Sequence, residues 1–193
     1  MKKVIHFFSK YIVKKDPKLY KDFLICLGMP HVSRFFEYSD YLATNKFKSV
    51  VLTDTRDVVF QNDLFKESID GLFLGMEDIN TPIGYDSFHI KWISDVYGKD
   101  YLTSISDKQI SCAGVTFGDY ESIKSYLNVM LTEFINIPYY KMVKCNYDQG
   151  IHNKLLYSNE FKNINRCQPL HSNILTLGLV NPQEIKVNDF GQV

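Results

Sequence analysis

Hydrophobic and polar positions along this chain follow two rhythms. Over 32–44, Val32, Phe35, Phe36, Leu42 and Ala43 recur near helical spacing, which predicts an amphipathic helix. Over 119–135, Ile123, Tyr126, Leu127, Met130, Leu131 and Phe134 form one stripe behind Asp119, a natural N-cap, and give the clearest helix of the chain. His89 to Tyr97 predicts a helix closed by Gly98, and Tyr147 to Tyr157 another. The second rhythm is short and β-rich. Ser49-Val50-Val51-Leu52-Thr53 predicts a buried strand that runs directly into Asp54, and 71–76, 110–117 and 173–177 predict three more strands. Residues 17–27 start after Asp16-Pro17, a helix-start signal, and end at Gly28, a helix-stop signal, yet Phe23 to Leu27 reads equally as a strand. Strands alternating with helices predict an α/β domain with a mostly parallel sheet flanked by helices. No repeat, low-complexity tract or Gly/Ser linker divides the chain, so 1–193 is read as a single domain.

Composition narrows the function classes. Hydrophobic residues make up 45% of the 193, enough for a real core. Lys plus Arg and Asp plus Glu number 22 each, which removes the basic surplus that a nucleic-acid binder carries. Any phosphate-bearing ligand has to be met by a local site. The four cysteines, 26, 112, 145 and 167, form no CxxC pair and read as reduced thiols in a cytoplasmic protein. No signal peptide and no membrane-spanning run is visible. The first 15 residues place Lys2, Lys3, Lys10, Lys14 and Lys15 around apolar positions. As a helix this segment would rest on an anionic membrane surface; as an ordinary first element it has only a solvated basic side, and the second reading is preferred. The 13 tyrosines and 14 phenylalanines are chiefly core material, although sugar sites also use aromatic faces.

The candidate chemistry lies at the end of the first strand, in Thr53-Asp54-Thr55-Arg56-Asp57-Val58-Val59-Phe60. Ligands of open α/β sheets bind at the carboxyl ends of strands. Two carboxylates three residues apart across a tight turn can converge on one point, and that arrangement calls for a positive group between them. A hard divalent cation, Mn²⁺ or Mg²⁺, suits oxygen ligands and bridges carboxylates to phosphates. Arg56 is a second neutralising group. The plainer alternative is that Asp54 caps the next turn while Arg56 and Asp57 form a surface pair.

The segment 34–65, RFFEYSDYLATNKFKSVVLTDTRDVVFQNDLF, resembles the acidic-motif region of GT-A glycosyltransferases, in which a strand ends in a DxD-type motif followed by an apolar stretch and a short turn. Here the motif is DxxD: Asp57 matches the second acidic position, Thr55 stands at the first, and Asp54 lies one residue earlier. Residues 110–127, ISCAGVTFGDYESIKSYL, resemble the strand that lines the sugar pocket in that superfamily, with Gly114 allowing close approach to the donor. Residues 147–157, YDQGIHNKLLY, are similar to the DQ segment of retaining members such as glycogenin-like enzymes. The resemblance spans about 31–178. It implies a GT-A-like, Rossmann-like fold and metal-dependent transfer of a glycosyl unit from a UDP- or GDP-sugar to a hydroxyl acceptor on a glycan. It implies Asp54 and Asp57 as metal ligands and Asp148 and Gln149 facing the sugar and acceptor. It also places a further acidic contact at Glu77 or Asp78 in the MED run. A helix N-cap is the structural alternative for Asp148.

The first βαβ unit of that family would need a longer stretch ahead of the acidic motif than these 53 residues allow, and the chain ends as a fragment would, in Asn188-Asp189-Phe190-Gly191-Gln192-Val193. His171 is the one late histidine, a candidate third metal ligand or a plain structural residue. His152 reads as structural, and His89 and Trp92 either line the cleft or pack. Two rival functions remain open. A phosphatase or nucleotidyltransferase on the same acidic strand end would release phosphate or transfer a nucleotide without a sugar acceptor. A non-catalytic nucleotide- or glycan-binding remnant of the fold would bind without metal.

Overall fold

In the computed structural model, which describes residues 16–26, 29–66, 68–142, 147–169 and 173–177, each long apolar stripe packs as a helix on a sheet. Helix α1 is Pro17–Cys26, which settles the helix-or-strand ambiguity. The Asp16 carboxylate caps it, accepting from the backbone N–H of Lys18 at 2.9 Å. Then come α2 (Pro30–Thr44), β1 (Ser49–Thr53), β2 (Val58–Phe60) and β3 (Leu72–Met76). A 3₁₀ turn (Ile83–Tyr85) leads into α3 (Ser87–Tyr97) and α4 (Lys99–Ile105), parted by Gly98 at φ 89°. The chain continues through β4 (Ser111–Asp119), α5 (Tyr120–Asn136), α6 (Tyr139–Met142), α7 (Asp148–Tyr157), β5 (Ile164–Cys167) and β6 (Ile174–Thr176). Asp119 caps α5 by accepting from Ser122 N–H at 2.9 Å, as its position ahead of the stripe predicts.

The fold is α/β, with a four-stranded mixed sheet in the order β1-β4-β3-β5 and a separate two-stranded pair, β2-β6. The expectation of a mostly parallel sheet is corrected: β1–β4 and β3–β4 are antiparallel, and β3–β5 is the parallel pair. The reason lies in the connections. Neighbouring strands are parallel when a crossover carries the chain back to the end of the sheet from which it started. Between β3 and β4 the chain holds two helices, α3 and α4, and β4 enters from the other end.

Period-2 burial divides the two faces. Leu72, Leu74 and Met76 of β3 and Leu52 of β1 face the helices, where Phe35 and Phe36 of α2 meet Phe134 of α5. The Tyr20 hydroxyl ties α1 to the end of α5 through Phe134 O at 2.8 Å. Phe73 and Phe117 stack at 4.8 Å on the opposite face, which the β2-β6 pair covers with Val58 and Ile174. Thus β1 ends at Thr53, β3 at Met76, and α7 begins at Asp148. Candidate residues stand at or beside all three. Among the described residues no helix is long and apolar enough to cross a membrane. The basic first 15 residues lie outside those described.

Candidate functional site

The centre of the site is a cation that the sequence reading did not single out. Arg34 sits on α2 between Val32 and Phe35-Phe36, on the side that turns towards the core. Its guanidinium lies 5.3 Å from the Phe35 ring centre. Nη1 donates to Asp54 Oδ1, and Nη2 donates to Asp148 Oδ2 at 2.9 Å. One planar fork therefore clamps the carboxylate after β1 to the carboxylate that opens α7. Burial works against the charge on Arg34, but Asp148 and Asp54 outweigh it and raise its affinity for the proton. Asp148 is buried, and burial lifts its carboxyl above the ordinary range against the opposing pull of Arg34 and His31. It is the first residue of α7, behind Tyr147 at the N-cap, and a backbone hydrogen bond from Gln149 also favours its charged form.

Gly114 makes room for this arrangement. The Asp54 N–H donates to Gly114 O at 2.9 Å, and a Cβ built on Gly114 would lie 2.3 Å from Asp54 Oδ2. The requirement here is space, not backbone conformation.

A second carboxylate stands beside the clamp. Glu77 follows β3, with 9% of its surface exposed. Its N–H donates to Ile110 O at 2.9 Å, and its Oε1 accepts from Gln149 Nε2 at 2.7 Å. Adjacent residues of α7 thus face different partners, Asp148 the clamp and Gln149 the buried glutamate. Glu77 Oε2 is buried without a hydrogen-bond partner. Burial pushes the Glu77 carboxyl up to about 7. The Gln149 bond opposes this, and the charges of Asp86 and Asp57 add to it. The Cys112 thiol on β4 is pushed up to about 12 by burial and by Glu77, which leaves it a poor nucleophile.

The other candidates fall into place around these groups. Asp57 is half-buried in the turn between β1 and β2, where its carbonyl accepts from Leu177 N–H at 2.7 Å. Its carboxylate has no ion pair among the described residues, and Glu77 feels its charge. Arg56 is exposed in the same turn. Asp78 accepts from Asn80 N–H at 2.9 Å and serves the turn after β3. His171 lies outside the described residues. Among those described, no three His, Cys, Asp or Glu side chains come together as a metal cluster. The structure therefore gathers Asp54, Asp148 and Gly114 around Arg34 and joins Gln149 to Glu77.

His152 is structural in the sense expected. Ser111 Oγ donates to Gly75 O at 3.1 Å, so it accepts from His152 Nε2 at 2.8 Å; His152 Nδ1 then accepts from Tyr126 Oη at 3.0 Å. Burial lowers His152 to about 3 and keeps it neutral. His89 is buried on Asp86 at 2.7 Å, with its ring against Trp92.

Glu77 and His152 give stability opposite pH slopes. The raised Glu77 favours the folded state at low pH, and this is lost as pH rises from 4.5 towards 7. The depressed His152 favours the folded state above 6.5, and this is lost as pH falls towards 3. Glu77→Gln removes the first slope alone. The stability of this variant relative to the wild type should move in its favour by on the order of 2–3 kcal/mol between pH 4.5 and 8. Urea unfolding across that range checks it, and a pH-independent difference would contradict the assignment.

No family model matches the chain, and neither a curated protein nor a solved structure matches it.

Proposed function

We propose that this protein is a GT-A-type nucleotide-sugar glycosyltransferase, which moves a glycosyl unit from a UDP- or GDP-sugar to a hydroxyl of a glycan acceptor. The observation that carries the reading is the Arg34 clamp, which holds the strand-end Asp54 and the helix-start Asp148 in one place beside Gly114. The three segments that carry the family resemblance thereby meet at one site, although they lie far apart in the chain.

A divalent cation fits these residues in a limited way. Asp57 has no competing ion pair among the described residues, and the Asp54 side chain keeps 40% exposure beside Arg34. Mg²⁺ or Mn²⁺ needs only one or two carboxylates where substrate phosphates and water complete its shell. Asp57 would hold it, with Asp54 as the second ligand. When bound, the cation supplies positive charge to the departing nucleoside diphosphate. Arg34 favours the charged form of Asp148 and holds it at the sugar site, and Gly114 lets the donor approach β4. Gln149, fixed by Glu77, presents a polar edge to the acceptor. The matching DQ segment favours retention of configuration.

A second reading has one observation in its favour. Arg34 already neutralises Asp54, as suits a nucleotide- or glycan-binding module that works without metal. Donor turnover separates the two. With Mn²⁺ and a panel of UDP- and GDP-sugars, the transferase reading expects release of nucleoside diphosphate that EDTA abolishes. Absence of release from every donor would sink it.

A further inference from the structure

The first turn of α3 carries an exposed ring that the chemistry above does not use. Phe88 is 63% exposed, and its ring centre lies 5.6 Å from that of Trp92, one helical turn on, at a tilt of 34°. Residues four apart share one side of a helix. The interior under α3 is already filled by the buried Ile83 and Ile93, so Phe88 is not a core residue left out by chance.

Two observations fix this ring pair beside the candidate site. A Cβ on Gly150 would lie 2.8 Å from the Cβ of Trp92, so the helix that carries Asp148 and Gln149 is seated directly on Trp92. At the start of α3, Asp86 caps the helix, and the Glu77 carboxyl feels its charge. The pair is thus flanked by the Gln149 helix and, at the Phe88 end, by the neighbourhood of Glu77.

We propose that the Phe88–Trp92 pair is a carbohydrate subsite that receives the C–H face of a pyranose ring. An aromatic face is the negative pole of the ring quadrupole, and the C–H groups of a sugar are positively polarised. The hydroxyl edge of the sugar is then left to polar groups such as Gln149. Ser87, Lys91 and Asp95 are exposed on the same helix together with Ile90, and the exposed Tyr85 precedes it; a sugar is the occupant because the pair adjoins the helix that carries Asp148 and Gln149. As the acceptor subsite, the pair rests on the transferase reading.

Trp92 is the chain's one tryptophan, so its emission reports on this place directly. The probes are glucose, galactose, N-acetylglucosamine, maltose and lactose, titrated with and without Mn²⁺ and UDP. The expected result is a saturable change with at least one sugar. Phe88→Ala should weaken it about tenfold or more, and Phe65→Ala, on an exposed ring elsewhere, should leave it unchanged. Both positions are exposed, so both variants should melt with the wild type. No saturable response to any sugar, or a response that Phe88→Ala retains, would overturn the subsite. Binding of an apolar dye alone would also overturn it, in favour of a protein contact. Nucleotide binding without a sugar response removes the subsite and leaves the transferase reading. A Phe88-dependent sugar response without nucleotide binding does the reverse.

Discussion

Arg34→Met should be among the most damaging single changes in this protein. The methionine keeps an unbranched apolar side chain beside Phe35 but leaves Asp148 buried without the Arg34 charge. Removing one partner of a buried ion pair costs about 3–5 kcal/mol, because the other charge stays desolvated. In a domain of this size that is a fall in melting temperature of about 10 °C. Adding Asp148→Asn removes the stranded charge, so the double variant should recover much of the loss. Thermal unfolding of the wild type, both single variants and the double variant closes the cycle. Additive losses would mean that the clamp does not couple the two residues. Donor turnover should stay absent in the double variant even as stability returns, which separates the structural part of the clamp from its chemical part.

Gly114→Ala tests the same centre from the other side. The new methyl group would lie 2.3 Å from Asp54 Oδ2, and relief to ordinary contact requires the carboxylate to move by roughly 1 Å. Overpacking of this kind costs about 1–3 kcal/mol. The larger effect should fall on function, since a displacement of ~1 Å at a reacting centre can lower a rate about 10²-fold. Nucleoside diphosphate release and urea unfolding, measured together, should show a folded protein with little turnover. Unchanged turnover would mean that the position of Asp54 is unimportant.

Much of this architecture was legible in the chain. The stripe Ile123 to Phe134 marked α5, the β-branched run Val50-Val51 marked β1, and Gly98 marked the end of α3. These signals are local, and local periodicity carries them. Strand direction is not local. It depends on the end of the sheet at which each connection returns the chain, and the short α4, without a clear stripe, went unread. The pairing of β2 with β6 joins residues more than 100 apart and left no mark in either segment.

The site shows the same division. Asp54, Gly114 and Asp148 could be picked out singly, but the residue that joins them could not. Arg34 reads in sequence as a charge on an amphipathic helix. Its one signal was its position between Val32 and Phe35-Phe36, where a charge is costly unless paired. Glu77 was visible as a carboxylate near a strand end. Its burial, and therefore its proton affinity, comes from packing by Gln149, Gln109 and the β4 strand.

The proposed metal-dependent nucleotide site is centred on Asp57, three residues beyond the clamped Asp54. Its most direct test is calorimetric titration of UDP and of GDP, each with Mn²⁺ and with EDTA, into the wild-type chain and Asp57→Asn. One nucleotide should bind with Mn²⁺, and its binding should be lost in EDTA and in the variant. Binding of equal strength in EDTA, or no binding of either nucleotide under any condition, would contradict it.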